Sequence, residues 1–350
     1  MRADKPVLLL TGGAGVLGTA FIDELAGDYE IICLLRRASV DDRRVQQVRG
    51  DLAADDFGLP PAQLRRLAAQ VDVILHAGAA TNWTLAPEEI AATNIEGTAR
   101  MLEFAEDAGA PLYYVSTAFV ERPVPHPGDP RFIGPRAYIE SKIAAEALIR
   151  DRRHPATIVR PSIVIGDSQD GRISAFQGIH KALRAVVRGT APMIPADAAA
   201  LIDAIPQDVV ARATGQLIRR GETGGTYMLT AGPQALTVAE MVRLCMAMAA
   251  RCGLAHSQPR LIPTEAVDRL LMPLLTEVIP VAMRRRFEDL ITLMLLFQSA
   301  DALPTSLPSL GLGDTVTKDA LLASFDHTIE YWSTHSRLLP PTGDRERVAA

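Results

Sequence analysis

Short, continuous apolar runs alternate with helical patterns through the first 165 residues of the chain. Val7–Leu10, Ile31–Leu35, Val45–Val48, Val71–Leu75, Leu112–Val115 and Thr157–Val159 are candidate strands. Most are apolar without a break, the pattern of parallel strands buried on both faces. Between them, helical periodicity predicts helices over Leu17–Leu25, Pro61–Ala69, Pro87–Ala108 and Tyr138–Arg150. This alternation predicts an α/β fold with a doubly wound parallel sheet. After Pro161 the regularity breaks. A helix over Phe176–Arg188 leads into an apolar, proline-bearing segment to Ala204, and a helix over Val209–Arg219 with a strand over Thr226–Thr230 returns to the sheet. From Thr237 onward helices dominate, interrupted at Pro263, Pro273 and Pro280 and by the loop Pro304–Gly313. The expected division is a sheet domain over residues 1–165 plus about 205–232, and a smaller, mainly helical C-terminal substrate lobe over about 166–204 plus 233–340. A loose tail is expected from Leu339.

Composition narrows the function classes. A formal charge of −5 leaves no electrostatic footprint for nucleic acid. The apolar stretches Leu270–Ile279 and Ile291–Phe297 are too short to span a bilayer, so no stable membrane insertion is expected. The N-terminus enters a strand almost at once and carries no secretory pattern. Three cysteines and seven histidines lack disulfide or metal-ligand spacing. The expectation is a cytoplasmic, metal-free enzyme, and nothing in the pattern specifies an oligomeric state.

Candidate chemistry begins at Thr11-Gly12-Gly13-Ala14-Gly15-Val16-Leu17-Gly18, which follows the first strand and opens the first helix. Glycines at that junction permit a tight turn and let a pyrophosphate approach the backbone at a helix N-terminus. A lone glycine pattern is an ordinary turn, but the strand before it and the helix after it favour a dinucleotide site, and with it a Rossmann-type domain. At the end of the second strand, where an acid would hold the ribose hydroxyls of NAD, stand Arg36 and Arg37; they are either a solvent pair or partners of a 2′-phosphate, and the position favours the phosphate. The expected cofactor is NADPH. Asp51 and Leu52, after the third strand, either bracket the adenine or, in the case of Asp51, cap the strand end.

Tyr138-Ile139-Glu140-Ser141-Lys142 sets a phenol and an ammonium one helical turn apart on one face. An ammonium near a phenol lowers its pKa, and the tyrosine can then exchange a proton while hydride moves. Thr117 lies at the carboxyl end of the fifth strand, where ligands bind in this architecture, and is the candidate for holding a carbonyl oxygen beside Tyr138. Ser116 is expected to support the backbone. Asn94, polar among apolar neighbours, either bonds backbone at the site or satisfies a kink. His76 can be read as catalytic, but its place at the end of a buried strand favours a structural role.

Together these elements resemble the extended short-chain dehydrogenase/reductase superfamily over about the first 235 residues. Four segments sharpen the resemblance toward thioester reductase domains. They are Gly50-Asp51-Leu52 leading to Phe57-Gly58-Leu59; His76–Trp83 with Asn94–Thr98; Arg160–Gly166 with Ser168–Gly171; and Ile202–Ala211. Such domains occur in carboxylic acid reductases and in peptide or polyketide synthetases, with fatty acyl-CoA reductases close behind.

Carried over residue by residue, the resemblance implies Thr117, Tyr138 and Lys142 as the catalytic set. It implies that Gly12, Gly15 and Gly18, with Ala14, Val16 and Leu17 between them, meet the pyrophosphate, and that Arg36 and Arg37 meet the 2′-phosphate. Asp51, Leu52, Ala77, Gly78 and Ala79 line the adenine side. Asn94, Pro161 and Ile163 complete the cofactor set together with Tyr138 and Lys142. Glu121 stands where sugar-modifying relatives carry a glycine, which argues against an epimerase. The reaction implied is NADPH-dependent reduction of an acyl thioester, on coenzyme A or on an acyl carrier protein supplied in trans, to the aldehyde or onward to the alcohol. Two alternatives stand beside it: reduction of a ketone or aldehyde in a biosynthetic pathway, and a non-catalytic NADP-binding sensor or scaffold. A sensor has no need of both Tyr138 and Lys142.

Overall fold

The unbroken apolar runs become the strands of one parallel sheet. The computed structural model describes residues 5–122, 128–176, 178–264, 266 and 281–338, with the backbone alone for 281–287. Pro273, Pro280, the stretch Leu270–Ile279 and the tail from Leu339 lie outside the described residues.

The sheet elements and their helices run β1 (Val7–Thr11), α1 (Val16–Leu25), β2 (Glu30–Leu35), β3 (Val45–Arg49), α2 (Pro61–Ala68), β4 (Val73–His76), α3 (Pro87–Ala91), α4 (Gly97–Ala108), β5 (Leu112–Val115), α5 (Ile133–Asp151), β6 (Ala156–Pro161), α6 (Gln207–Arg219) and β7 (Thr226–Leu229). The sheet order is β3-β2-β1-β4-β5-β6-β7, with every neighbouring pair parallel. The strand order therefore reverses beside β1, between β1 and β4. Such a switch point opens a crevice at the carboxyl ends of the strands.

Side chains alternate across each strand, so one sheet supplies two cores. Leu9, Ile32, Leu34, Ile74, Leu112 and Ile158 bury one face against Met101, Leu102 and Ala105 of α4 and Ala145 and Ile149 of α5. The opposite face is covered by α1 and α6, which pack on each other and bury Phe21, Leu25, Val210 and Leu217.

Two helices differ from their sequence patterns in ways that matter for the site. The pattern starts a helix at Tyr138, but α5 begins at Ile133, so Tyr138 stands in its second turn. Pro135 fits the first turn, where the missing N–H has no intrahelical partner to lose. The single pattern Pro87–Ala108 forms α3 and α4 joined by a π turn, Ala92–Glu96, with Asn94 buried inside it. An extra residue per turn of this kind re-aims the side chains it carries.

The chain divides into two compact units. The first comprises Met1–Val164, Gln207–Thr230 and Thr305–Leu312; the second comprises Ile165–Pro206, Ala231–Pro304 and Gly313–Ala350. The loop residues Thr305–Leu312, assigned by pattern to the helical lobe, belong to the first unit because they bond along the edge strand β7. Ser306 N–H donates to Met228 O at 2.8 Å, Met228 N–H donates to Ser306 Oγ at 3.0 Å, and Thr305 Oγ1 donates to Thr230 O at 2.9 Å. A loop so placed covers polar groups that an edge strand otherwise exposes.

The second unit is mainly helical, with helices over Gly178–Val187, Val238–Arg251, Val281–Phe297 and Lys318–His335. Thr237 and Glu240 form a capping box at the start of Val238–Arg251, and Lys318 reaches the same carboxylate at 3.1 Å. Asp203 accepts the Ala231 and Gly232 N–H groups at 2.8 and 2.9 Å. No helix among the described residues is long and apolar enough to cross a membrane.

Candidate active site

The glycine junction is closed by contacts that leave no room for side chains. Gly12 has φ +74°, and a Cβ there would meet Ala77 C and O and Gly78 N at 2.8 Å. A Cβ at Gly18 would lie 2.1 Å from Gly12 O. Gly15 N–H donates to Gly12 O at 2.8 Å and closes the turn. Gly15 is itself exposed and caps α1 without any side-chain hydrogen bond, so the first-turn amides of α1 remain available.

Around this junction, the adenine-side residues of the sequence pattern come together. Ideal Cβ atoms at Gly78 and Gly97 would meet Leu52 at 2.9 and 3.0 Å. Leu52 is held by a tight loop in which Asp51 N–H donates to Phe57 O and Asp51 Oδ1 accepts from Ala53 N–H, both at 3.0 Å. Phe57 adopts φ +56°, a conformation that a bulky residue holds only under constraint. Burial of its ring against Phe104 supplies that constraint. Arg36 and Arg37 lie exposed just past β2, and no ion pair holds either among the described residues. Their neighbour Arg44 is engaged by Asp42 and Asp23.

The catalytic candidates sit where α5 is fastened to the end of β5. Lys142 Nζ donates to Val115 O at 2.8 Å and lies 4.7 Å from the centroid of the Tyr114 ring. One turn further, the Glu146 carboxylate accepts from Ser116 Oγ at 2.5 Å. Glu146 is 1% exposed, and Arg160 donates to it twice, Nε to Oε1 at 2.8 Å and Nη2 to Oε2 at 2.5 Å, with Arg150 adding a bond of 2.6 Å. Arg160 also bonds Glu121. Burial alone would raise the Glu146 pKa, but the bonds from Arg160 and Ser116 outweigh it and hold the carboxyl below its usual range. Thr117, buried directly after Ser116, caps the short turn Ala118–Glu121 by accepting from Phe119 N–H at 3.4 Å. Among the described residues nothing accepts its own hydroxyl proton.

Electrostatics at the tyrosine run opposite to the sequence expectation. Part of Tyr138 remains accessible, yet the protein packed around it pushes the phenol up to about 12. Lys142 does not lower it: the lysine, 3% exposed, is itself pushed down to about 7 by burial, with Glu146 opposing, and its ammonium is directed to Val115 O and Tyr114.

Asn94, expected from the sequence either to bond backbone at the site or to satisfy a kink, has its side chain engaged by protein from within the π turn. Oδ1 accepts from Ala80 N–H at 2.7 Å, and Nδ2 donates to Ala80 O at 3.1 Å and to Ser141 Oγ at 2.9 Å. Ser141 Oγ in turn donates to Tyr138 O at 2.7 Å. Pro161 ends β6 and Ile163 follows it, both buried. All the candidate residues fall in the first unit. Sequence reasoning missed Glu146 as the charged anchor of α5. The available signal was its position one turn after Lys142, on the face that must be buried. Among the described residues no three His, Cys, Asp or Glu side chains form a metal-binding group.

Residues 35–214, a little over half of the chain, match the family described as "Male sterility protein". The chain is 30% identical over 213 residues to "Glycine betaine reductase ATRR" of Emericella nidulans, a match covering 49% of this chain and 17% of that protein. It is 31% identical over 209 residues to "Nonribosomal peptide synthetase asaC" of Aspergillus flavus, covering 47% of this chain and 20% of that protein. The chain thus spans a fifth or less of these curated relatives. Among solved structures, the terminal R domain from the myxalamid PKS-NRPS biosynthetic pathway superposes with a TM-score of 0.74 at 26% identity, covering 97% of this chain and 93% of that one. The reductase (R) domain of a nonribosomal peptide synthetase from Mycobacterium tuberculosis, at 22% identity and a TM-score of 0.68 over 97% and 95% of the two chains, shares the fold.

Proposed function

Because the chain belongs to the male sterility protein family, nicotinamide-dependent oxidoreductases with the extended short-chain dehydrogenase/reductase fold, we propose that it is an NADPH-dependent reductase of acyl thioesters. The observation that carries the reading is the fastening of α5 to β5: Lys142 on Val115 O and Glu146 on Ser116 set Tyr138 and Thr117 at the carboxyl edge of the sheet. Likeness to the myxalamid R domain and to glycine betaine reductase supports a thioester or carboxyl-derived substrate over a sugar.

The glycine junction fits the cofactor. Its cradle excludes side chains at Gly12 and Gly18, and the uncapped start of α1 offers backbone N–H groups to a pyrophosphate. Leu52, Ala77, Gly78 and Ala79 would flank the adenine, and the exposed Arg36 and Arg37 the 2′-phosphate. NADPH, when bound, supplies the hydride. The chain's own residues manage the oxygen and the proton. Negative charge builds on the carbonyl oxygen, where Thr117 and Tyr138 act as preorganised donors. A phenol held up at about 12 keeps its proton at neutral pH, the state in which reduction needs it. Tyr138 gives that proton to the oxygen and takes it back as the hemithioacetal collapses to aldehyde and thiolate. A thiolate leaves far more readily than an alkoxide.

The test is to incubate the protein and NADPH with acyl-CoA and acyl-carrier-protein substrates of varied chain length, following free thiol and aldehyde. Release of thiol in step with NADPH oxidation is expected. If no thioester releases thiol while a free ketone or aldehyde is reduced efficiently, the carbonyl reductase reading replaces this one. If nothing is reduced, the sensor reading does.

Cofactor choice makes a separate prediction. Charge-assisted hydrogen bonds to a phosphate contribute about 1.5–3 kcal/mol, so NADPH should bind at least about tenfold more tightly than NADH. Arg36→Ala combined with Arg37→Ala should erase the difference. Equal affinity of the unmodified protein for both cofactors, measured by titration calorimetry, would refute it.

A further inference from the structure

The sheet register sets Thr11, His76 and Tyr114 side by side across β1, β4 and β5. His76 is 1% exposed and contacts a hydroxyl at each ring nitrogen. Thr11 Oγ1 lies 2.7 Å from Nδ1, and Thr98 Oγ1, on α4, lies 3.3 Å from Nε2. Both hydroxyls have a second partner whose role chemistry dictates. Thr98 Oγ1 lies 2.7 Å from Asn94 O, and a carbonyl only accepts, so the single Thr98 proton goes there. Thr98 Oγ1, which the Tyr114 side chain also approaches, keeps two lone pairs and no proton for the ring, so its 3.3 Å contact with Nε2 requires hydrogen on that nitrogen. At the other end, Gly78 N–H only donates, and Thr11 Oγ1 accepts it at 2.8 Å. Thr11 keeps one proton, and an unprotonated Nδ1 accepts it. Burial first, and the nearby Lys142 charge second, push the imidazole down to about 3, so the doubly protonated ring is not the working form.

The bonds consequently run in one direction, from Gly78 N–H through Thr11, His76 and Thr98 to Asn94 O. From Asn94 the side chain continues to Ala80 and to Ser141, whose hydroxyl donates to Tyr138 O. One end of this chain abuts the glycine junction, since a Cβ at Gly12 would meet Gly78 N at 2.8 Å. The other end lies in the turn of α5 that carries the tyrosine.

We infer that His76 is a positioning residue: held with its proton on Nε2, it couples the backbone beside the glycine junction to the π turn and the helix that carry Asn94 and Tyr138. The ring touches no reacting atom. It sets two placements at once, that of the Ala77–Ala79 segment and that of Tyr138. A side chain that merely filled space would need neither a defined tautomer nor two hydroxyl partners.

Two experiments test this on the intact protein. In the first, nitrogen-15 NMR of the histidine rings should show one His76 signal set with Nε2 protonated and Nδ1 bare, unchanged from about pH 5 to about pH 8, the range in which an ordinary histidine titrates. In Thr98→Val the Nε2–H loses its acceptor, and a second ring state should appear. A His76 ring protonated on Nδ1, or titrating in that range, would overturn the inference whatever the enzyme does. The second experiment rests on the reductase reading. His76→Leu, assayed per folded molecule, should raise KM for NADPH and lower kcat together, the latter by roughly 10²-fold, as displacements of about 1 Å remote from the chemistry do. His76→Gln, which restores a donor and an acceptor, should recover part of both. A folded His76→Leu with unchanged kcat and KM would sink the positioning role. Absence of activity in the parent protein would instead count against the reductase reading, with the NMR result still standing. Should His76→Leu not fold, the NMR measurements on the parent and on Thr98→Val decide alone.

Discussion

Tyr138→Phe is expected to lower turnover by roughly 10²–10⁴-fold, the contribution of a positioned acid. The fold and NADPH affinity should stay close to those of the parent. The loss should fall on kcat, because the phenol proton matters only once charge has built on the carbonyl oxygen. The ring remains in place, and the bond from Ser141 goes to the Tyr138 backbone carbonyl, which the substitution keeps. The pH profile should carry the signature of the lysine. Tyr138, held up at about 12, stays protonated through the working range, while Lys142, held down at about 7, is the group that titrates there. Lys142→Met should therefore abolish an inflection near neutrality as well as weakening turnover and cofactor binding. Stopped-flow measurement of NADPH oxidation across pH checks both variants. Turnover of Tyr138→Phe within a few-fold of the parent would mean that another group delivers the proton.

Breaking the buried ion pair beneath the site should have the largest effect on stability. Arg160→Met removes two of the hydrogen bonds to Glu146 and leaves a carboxylate that is 1% exposed with Ser116 and Arg150 alone. Removing one partner of a buried ion pair costs about 3–5 kcal/mol, and the remaining Arg150 contact places this loss toward the lower end. Replacing both partners, Glu146→Met with Arg160→Met, should cost less than the single change, since no charge is then stranded. Urea unfolding of the three proteins measures this. A single variant within about 1 kcal/mol of the parent would show that the pair is dispensable. The pH dependence has a definite sign. Glu146 has a folded-state pKa below its unfolded value, so its contribution is fully present above the ordinary carboxylate range. It is lost as pH falls through the lowered value. The single and double variants should thus converge in stability in acid, where the stranded carboxylate takes up a proton.

A lysine so close in sequence fails to acidify the tyrosine because its ammonium is committed elsewhere. A spacing of four residues places Tyr138 and Lys142 on one face, but it does not say which way an ammonium points. Val115 O and the face of Tyr114 supply better partners in a buried setting than a half-accessible phenol does. For a reductase the outcome is favourable, because a proton donor must keep its proton until the hydride arrives.

What the chain determined by itself was local. Unbroken apolar runs announced parallel strands, and their alternation with helices announced a doubly wound sheet. The glycine spacing at residues 12–18 announced a tight strand-to-helix turn, and the spacing of Tyr138 and Lys142 announced a shared helix. Each depends on neighbours within a turn or a strand, where steric and periodic rules act directly. Tertiary structure alone decided the rest. Thr11 and His76 are 65 residues apart, Ser116 and Glu146 are 30 apart, and Glu146 and Arg160 are 14 apart, so no periodicity announces their bonds. The early start of α5, the π turn around Asn94 and the capture of Thr305–Leu312 by the edge of β7 answer to packing rather than propensity. The protonation of Tyr138, Lys142 and His76 follows from how much water the assembled fold excludes and which charges it brings near. Desolvation and pairing act through space, and only the folded chain sets those distances.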